Sequence, residues 1–230
     1  MIVGNGLIST AFRGFYDTDP AVVVFASGVS NSRETRPEEF LRERRLLQEH
    51  VGAAPLLLYF STCSINDGEL ADSPYVVHKK AMEEMVRRSP RFAIFRLPQV
   101  VGRTPNPNTL TNYLHRKVAT GEAFEVWSQA RRNLIDVDDV ASIVRHLLQD
   151  GWVEGQTIDV ASPFYTSILE LVRVFESVLG RSANCTTIPA GGAYPVDTSV
   201  AVAAAAACGV RFDGTYVRRL VEKYYGSHAS

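Results

Sequence analysis

The stretch PLLLYFSTCSINDGELADSPYVVHKKAMEEMVRR, residues 55–88, decides the fold. It opens with an apolar run over residues 55–62, crosses a polar loop and enters a helical pattern from residue 75 to about residue 88. A continuous apolar run is typical of a strand that is buried on both faces of a parallel sheet. A further apolar run, FAIFRLP, begins at residue 92. The stretch therefore predicts a β-α-β unit with parallel strands.

The same pattern extends towards the N-terminus. AVVVFA, residues 21–26, is a second buried strand, and RPEEFLRERRLLQEHV, residues 36–51, has the apolar spacing of an amphipathic helix. A very short strand, residues 1–3, runs directly into Gly4-Asn5-Gly6 and a helix over residues 7–12. The order β-α-β-α-β-α-β predicts an α/β fold with a Rossmann-like, doubly wound parallel sheet.

After Pro98 the regular alternation ends. Short strands and capped helices follow, with a long Pro/Asn loop after residue 101 and an Ala-rich helix near residue 201. We expect one continuous globular unit in which residues 1–100 form a shortened dinucleotide-binding part. Residues 101–230 are expected to form a mixed α/β part with a small substrate-binding cap and the remaining Rossmann elements. Trp127 and Trp152 are expected in the core.

Composition excludes several classes of function. The 230 residues are 46% hydrophobic and carry a net charge of −1, which argues against disorder and against binding to nucleic acid or membranes. Neither a membrane-spanning run nor a signal peptide is recognisable, so a cytoplasmic protein is expected. Cys63, Cys185 and Cys208 lack the spacing of a metal site, and no metal is expected.

Tyr75 and Lys79 stand four residues apart at the start of a predicted helix, so their side chains meet on one face. Such pairs are common on ordinary surface helices, and that interpretation remains open at this point. A neighbouring ammonium also lowers the pKa of a tyrosine from its usual value of about 10, which suits proton exchange with a substrate. Thr62 ends a buried strand at the edge where open α/β sheets bind ligands. His78 is turned off the Tyr75 face and is expected at the surface or in an interface.

Gly4 and Gly6 lie between a strand and a helix, where glycines let the backbone approach a pyrophosphate. Ser9 takes the third small position of the G-x-G-x-x-G pattern. A simple tight turn explains the two glycines as well. The acidic residue that holds the adenosine ribose about 20 residues further on is missing, because Asp17 and Asp19 belong to a turn before the next strand.

Six segments occur in an order known from one family: GNGLIS, FASG, YFSTCSI, YVVHK, FRLPQVVG and RNLIDVDDVA. With them, most of the chain resembles the extended or atypical short-chain dehydrogenases/reductases, the NAD-dependent epimerase/dehydratase family that modifies nucleotide sugars. The resemblance implies an NAD(P)-dependent oxidoreductase or epimerase whose catalytic triad is Thr62, Tyr75 and Lys79. It also implies a role in polysaccharide or glycoconjugate biosynthesis.

The resemblance further implies the residues of two binding sites. Those expected to bind NAD or NADP are Gly4, Asn5, Gly6, Leu7, Ile8, Ala26, Ser27, Gly28, Ser61, Tyr75, Lys79 and Pro98. Those expected to bind the nucleotide-sugar substrate are Thr62, Cys63, Ser64, Gln99, Asn108 and Arg132.

Several of these positions have alternative interpretations. Gln99 can instead be a capping amide, and Arg131 can take the role of Arg132 on the diphosphate. Tyr194 and Asp197 can form the far wall of the pocket, although a structural turn is favoured for them.

The chain departs from the family in its N-terminal half. FASG, residues 25–28, resembles the end of the family's fourth strand, so two strand–helix units are absent. If residues 21–26 take the place of the fourth strand, the connection from the first strand runs in the reverse direction along the sheet. A right-handed crossover then moves the first helix to the face opposite to the one it has in the family. The choice between NAD and NADP stays open, and a non-catalytic nucleotide or nucleotide-sugar binding protein is the alternative function.

The residues after Thr62 narrow the type of reaction. Relatives that dehydrate the sugar carry Asp-Glu after the threonine, and relatives that epimerise at C3 and C5 carry a cysteine at the place of Ser64. This chain has Cys63-Ser64, which favours a 4-ketoreductase or a 4-epimerase. Relatives pair the helices equivalent to residues 36–51 and 75–88 between two subunits, so a homodimer is expected. An interaction module built on these two helices is a further possibility.

Overall fold

The structure, a computed structural model, describes residues 1–53, 55–151 and 153–226. Its strands are β1 Ile2–Val3, β2 Val23–Phe25, β3 Leu57–Thr62, β4 Phe92–Leu97, β5 Gln99–Val101, β6 Phe124–Trp127, β7 Arg131–Asp136, β8 Thr157–Asp159, β9 Tyr165–Ser167 and β10 Cys185–Ile188. Its helices are α1 Leu7–Phe12, α2 Pro37–Gln48, α3 Pro74–Val86, α4 Leu110–Thr120, α5 Val137–Gln149, α6 Ile168–Leu179, α7 Ser199–Ala207 and α8 Tyr216–Tyr225.

The main sheet is parallel and has the strand order β1-β2-β3-β4-β8. Strand β3 pairs with β4 along its whole length, from Leu57 opposite Phe92 to Thr62 opposite Leu97. Every residue of β3 is buried, as its apolar sequence predicts for a strand covered on both faces. The predicted Rossmann-like α/β fold is confirmed.

Most of the short strands after β4 build a smaller layer beside the main sheet, whereas β8 joins the main sheet itself. Strands β5, β7 and β9 form one small sheet, and β6 pairs with β10 in another. Helices α4, α6 and α8 pack against these strands through a separate core that includes Leu114, Phe175 and Leu220. This layer places the loop between β5 and α4 opposite the carboxyl ends of the main strands.

Side chains of the main sheet alternate between two cores. One core joins the sheet to α1, α5 and α7, and its members include Phe12, Val24, Leu58, Phe60, Phe95 and Ile143. The other core joins the sheet to α2 and α3, and its members include Val23, Phe25, Leu47, Tyr59, Met82 and Ile94. The period of two along each strand explains why neighbouring residues serve opposite cores.

Helix α1 therefore lies on the face opposite to α2 and α3. Strands β1 to β4 follow one another in a single direction across the sheet, so the β1–α1–β2 connection has the opposite hand to the two connections after it. With the usual right-handed crossovers at α2 and α3, the first crossover is left-handed. A right-handed first crossover would have put α1 on the face that carries α2 and α3, so the expected right-handed displacement of the first helix is wrong. Phe12 anchors α1 in the core shared with α5, while α2 and α3 already cover the other face.

Strand β1 forms one edge of the main sheet, and in the described residues no strand pairs with its outer side. The carboxylate of Asp19 accepts a hydrogen bond from the backbone N–H of Ala21 at 2.8 Å, so it stabilises the turn before β2. Asp17 also bonds within this turn, to the backbone N–H of Gly14. Both carboxylates are therefore used locally, as the sequence indicates.

Of the two tryptophans expected in the core, the structure describes only Trp127. Trp127 is 44% exposed, so its expected place in the core is wrong. Strand β6 alternates, with Phe124 and Val126 buried and with Glu125 and Trp127 facing outward. Trp152 lies outside the described residues. Across the described ranges, no helix is long and apolar enough to cross a membrane.

Candidate active site

A cavity of about 690 Å³ opens at the carboxyl ends of β1 to β4, the edge at which parallel α/β sheets bind ligands. Of the residues expected to bind a dinucleotide, the lining includes Asn5, Gly6, Leu7, Ile8, Ala26, Gly28, Ser61, Tyr75, Lys79 and Pro98. Of those expected to bind a nucleotide sugar, it includes Thr62, Ser64, Gln99 and Asn108. Segments far apart in the sequence thus meet in one space.

Helix α3 places Tyr75 and Lys79 at the cavity. Pro74 occupies the first helical position, and the hydroxyl of Ser73 accepts a hydrogen bond from the backbone N–H of Val76 at 3.3 Å. Because the helix starts just before Tyr75, the two residues four apart share one face. Both are buried, with exposed fractions of 7% and 2%, and Lys79 Nζ lies 6.0 Å from the centre of the Tyr75 ring.

The surroundings of Tyr75 keep its phenol protonated. Burial raises the pKa of Tyr75 above its ordinary value of 10.0, while the Lys79 ammonium and the Thr62 hydroxyl oppose the rise. The negative charge of Glu43 raises this pKa further. Thr62 Oγ1 also accepts a hydrogen bond from the backbone N–H of Ser64 at 3.1 Å, which fixes the turn after β3. Tyr75 can therefore donate a proton to a ligand at neutral pH.

Glu43, on α2, is fully buried behind Lys79 and was not anticipated from the sequence. Its Oε1 accepts hydrogen bonds from Tyr59 Oη at 2.6 Å and from Lys79 Nζ at 3.0 Å. Its Oε2 lies 2.9 Å from His78 Nε2 and accepts from the backbone N–H of Val29 at 2.6 Å. Burial alone raises the pKa of a carboxyl, but Lys79 and these donors outweigh it and hold the pKa of Glu43 far below its usual range.

The sequence contains a signal for Glu43. Phe40, Glu43 and Leu47 follow the i, i+3, i+7 spacing of the stripe on which α2 packs. Phe40 and Leu47 both contact buried residues of the core, and Glu43 lies between them. A carboxylate in such a stripe needs a buried partner, because an unpaired buried charge is strongly destabilising.

Gly28 is packed tightly over this pair of charges. A Cβ at Gly28 would lie 2.6 Å from Lys79 Nζ and 3.0 Å from Glu43 Oε1. The glycine of FASG is therefore needed for close approach of the loop to the Lys79 amine. This steric reason could not be derived from the glycine alone, because it depends on a helix that follows in the chain.

His78 is buried rather than at the surface, so the expectation for it is wrong. Its ring lies 4.7 Å from the ring of Phe40, measured between centroids, and its Nε2 contacts Glu43. Helix α2 covers the side of α3 that carries His78, which is why the residue between Tyr75 and Lys79 is also enclosed.

The loop between β5 and α4 forms the far side of the cavity, with Arg103, Thr104, Pro105, Asn106, Asn108 and Thr109 in the lining. Asn112 Nδ2 donates to the carbonyls of Thr104 and Asn106 at 2.9 Å and 2.8 Å. The backbone N–H of Asn108 donates to Asn106 Oδ1 at 3.0 Å. These bonds hold the loop in place. Because the loop lines the cavity, Arg103 and its neighbours join the candidate site residues that the sequence indicated.

Four of the expected site residues do not line this cavity in the described part of the chain: Gly4, Ser27, Cys63 and Arg132. Gly4 has φ +125°, and a Cβ there would lie 2.5 Å from the Ala26 carbonyl oxygen. Gly4 thus allows β1 to turn sharply beside the end of β2. The hydroxyl and carbonyl oxygens of Ser27 both accept from Arg42 Nη1 at 3.2 Å.

Cys63 and Arg132, the other two residues outside the cavity lining, are enclosed or hydrogen-bonded within the protein. Cys63 is fully buried, and burial, with the charge of Asp159, raises the pKa of its thiol. Arg132 Nη1 donates to the carbonyls of Arg131 and Gly192 at 2.8 Å and 2.9 Å. The guanidinium of Arg132 therefore stabilises the segment after β10.

Tyr194 and Asp197 belong to this same segment. Tyr194 is buried, and its carbonyl accepts from Tyr165 Oη at 3.0 Å. The carboxylate of Asp197 accepts from the backbone N–H and the hydroxyl of Ser199, at 3.0 Å and 2.6 Å, where α7 begins. These contacts agree with the structural turn that the sequence favours.

The lining fits one half of a dinucleotide. Tyr75, Lys79, Gly28 and Pro98 line the same cavity, and the absence of a side chain at Gly28 lets the Lys79 amine lie close beneath the loop, where a nicotinamide ribose would be held. On the adenosine side, β1 is the sheet edge, and the described residues include no further strand that carries an acidic group. The residues present therefore fit the nicotinamide half.

Solved structures with the same fold include several enzymes that act on nucleotide sugars. UDP-glucuronic acid 4-epimerase from Bacillus cereus, solved with UDP-glucuronic acid and NAD, has a TM-score of 0.68 at 17% identity, over 94% of this chain and 76% of that one. The NAD-dependent NDP-hexosamine 5,6-dehydratase TunA of tunicamycin biosynthesis has a TM-score of 0.67 at 18% identity, over 94% and 80%. RMD from Pseudomonas aeruginosa, solved with NADPH, has a TM-score of 0.62 at 18% identity, over 95% and 85%.

The sequence itself also identifies the family. No curated protein matched the chain in a sequence search. The family profile described as "NAD dependent epimerase/dehydratase family" matches residues 8–161, which include the whole of α3 and every strand of the main sheet except β1. The chain therefore belongs to the NAD-dependent epimerase/dehydratase family, a family of short-chain dehydrogenase/reductase-type enzymes.

Proposed function

We propose that this protein is an NAD(P)-dependent nucleotide-sugar oxidoreductase or epimerase of the 4-ketoreductase/4-epimerase type. The observation that carries the proposal is the meeting of Thr62, Tyr75 and Lys79 in one cavity with the loop that contains Asn5 and Gly6. The neighbours solved with UDP-glucuronic acid, NAD and NADPH support the class of ligand. A place in polysaccharide or glycoconjugate assembly follows from the same family resemblance, and we propose the cytoplasmic location that the sequence features favour.

Tyr75 is the proposed acid/base. In the reductive direction its hydroxyl gives a proton to the oxygen of the sugar keto group, and the phenolate formed lies beside the Lys79 ammonium. Thr62 hydrogen-bonds the same sugar oxygen and keeps it near Tyr75. A bound reduced nicotinamide would supply the hydride that the sugar carbon gains, and the oxidised form would accept the hydride that the carbon loses. Oxidation reverses the proton transfer, with Tyr75 as the base.

The surroundings of Cys63 support ketoreduction or 4-epimerisation over dehydration. A dehydratase needs a further acid and base beside the threonine, and this chain has Cys63 and Ser64 there. Cys63 is buried behind the cavity with its thiol protonated, so it is unsuited to proton transfer. Ser64 reaches the cavity but has no ordinary acid/base capacity.

A pH dependence follows from the raised pKa of Tyr75. Ketone reduction uses the protonated phenol, which dominates below this pKa, so its rate is expected to stay level from about pH 6 to about pH 9. Alcohol oxidation uses the phenolate, whose population rises about tenfold per pH unit in the same range. Initial rates of UDP-glucuronic acid conversion in the presence of NAD, measured against pH, check the oxidation step. An oxidation rate that has already levelled off at neutral pH would contradict it.

A non-catalytic nucleotide-sugar binding protein is the second candidate. The edge position of β1 favours it, because the adenosine half of a dinucleotide has no flanking strand in the described residues. Homodimer formation through α2 and α3 is compatible with either function. Leu41 on α2 and Val77 on α3 are 47% and 53% exposed, which gives these helices an apolar outer surface.

Separate calorimetric titrations with NADH, NADPH and UDP-glucuronic acid test the proposed function. Saturable binding of NADH or NADPH, followed by conversion of UDP-glucose or UDP-glucuronic acid, is the expected result. A folded protein that binds UDP-glucuronic acid but neither dinucleotide would overturn the enzyme proposal and favour the binding protein. Sedimentation at several protein concentrations separately tests the dimer.

A further inference from the structure

The Lys79 amine is held by groups that lie behind the cavity. It donates to Glu43 Oε1 at 3.0 Å and to Tyr59 Oη at 3.1 Å. An ammonium has three N–H donors, so one remains for a group in the cavity that Lys79 lines. The amine is thus fixed in direction before any ligand arrives.

The carboxylate of Glu43 has no contact with the cavity and yet connects every element around the amine. It is bonded to Lys79 and His78 on α3, to Tyr59 on β3, and to Val29 in the loop after β2. Its four hydrogen bonds occupy the acceptor positions of both oxygens, so the carboxylate cannot bind a new partner without losing one of these bonds.

Glu43 and Lys79 together bring no net charge to the site. Lys79 alone would pull the proton from the nearby phenol, and Glu43 opposes that pull at close range. The other titratable groups near this pair are Tyr59 and His78, which contact Glu43, and Cys63, which lies close enough to Tyr75 to influence its pKa. Glu83, further along α3, is itself paired with Arg96 at 2.8 Å.

We propose that Glu43 is a positioning residue of the active site, which holds the Lys79 ammonium under Gly28 and offsets its charge at the Tyr75 hydroxyl. The free enzyme therefore keeps Tyr75 as a proton donor, and Lys79 presents a single N–H to the ligand. This inference deepens the proposed function and rests on the role given there to Tyr75.

The test is a spectrophotometric titration of the phenol in the protein without cofactor or substrate. Ultraviolet difference absorbance is followed with rising pH in the wild type, Glu43→Gln, Lys79→Met and the double variant. The same four proteins carrying Tyr75→Phe are subtracted, so that the difference reports Tyr75 alone. Circular dichroism shows which variants are folded.

The two single variants are expected to shift the Tyr75 midpoint in opposite directions. Glu43→Gln should lower it by about 1 pH unit or more, Lys79→Met should raise it, and the double variant should lie between them. If Glu43→Gln does not fold, the comparison of Lys79→Met with the double variant measures the effect of the same negative charge. A purely structural role for Glu43 would leave the midpoint in place or shift both singles alike, and either result would overturn the proposal.

Turnover is not needed for this measurement. A protein that binds no dinucleotide can still show the opposed shifts, in which case the charge arrangement stands and the enzyme proposal fails. An active enzyme without opposed shifts would instead support the proposed function and overturn the role given to Glu43. The two proposals can therefore fail separately.

Discussion

Tyr75→Phe is expected to lower turnover by about 10²–10⁴-fold while the protein stays folded, because general acid catalysis accounts for a factor of this size. The substitution removes only the hydroxyl that exchanges a proton with the sugar oxygen. The ring of Tyr75 stays buried against Val29 and Val76, so packing is retained. Steady-state rates with UDP-glucuronic acid and NAD, together with thermal unfolding, provide the measurement.

Tyr113→Phe is the matched control for this loss. It removes the same oxygen from a tyrosine on α4 that contacts Phe124 and lies outside the residues that line the cavity. We expect its turnover to remain within a small factor of the wild type. Equal turnover in Tyr75→Phe and Tyr113→Phe, with both proteins folded, would rule out Tyr75 as the acid/base. Retained NADH binding in Tyr75→Phe would show that the loss lies in the chemical step.

Lys79→Met is expected to destabilise the protein by about 3–5 kcal/mol, because it leaves the fully buried Glu43 carboxylate without its cation. For a chain of this size the melting temperature should fall by about 6–20 °C. Glu43→Gln should cost a similar amount, since it leaves a buried ammonium. The double variant should recover most of the loss, because breaking one half of a buried pair costs more than replacing both halves. Urea unfolding of the four proteins measures these differences.

Arg91→Met supplies the comparison for an exposed pair. Arg91 Nε lies 2.9 Å from Glu154 Oε2, a distance similar to that of the buried pair, but both side chains are about half exposed. Exposed ion pairs contribute about 0–1 kcal/mol, so this variant should unfold almost like the wild type. A Lys79→Met protein no less stable than Arg91→Met would contradict the view that Glu43 depends on Lys79.

Local sequence patterns were sufficient to predict the central strands of the main sheet. The apolar runs at residues 21–26, 55–62 and 92–97 contain β2, β3 and β4, and their lack of alternation predicted parallel strands with both faces covered. Helix patterns were equally local, as with the helix predicted from residue 75 to about residue 88, which contains most of α3. Such signals depend on a few adjacent residues, so they can be recognised without knowing the rest of the fold.

Much of the cavity lining could be predicted too, because parallel strands place their carboxyl ends at one edge and because the family resemblance implied positions such as Gln99 and Asn108. Thr62, Tyr75, Lys79, Gln99 and Asn108 meet there as expected. Arg132 and Cys63 do not line it. The Gly192 carbonyl that holds Arg132 comes from a distant segment, and the burial of Cys63 depends on packing that sequence spacing does not reveal. The prediction that Trp127 lies in the core was wrong for a similar reason, because other segments decide whether the outward face of a short strand is covered.

The sequence by itself determined the order of strands and helices, the parallel sheet and the edge at which ligands meet it, because these follow from periodicity and chain direction. Tertiary structure alone decided that α1 packs opposite α2 and that Glu43 lies under Lys79. The physical reason is that both depend on which face of the sheet remains uncovered when distant helices pack. The pairing of a buried carboxylate with an ammonium 36 residues away is a consequence of that packing.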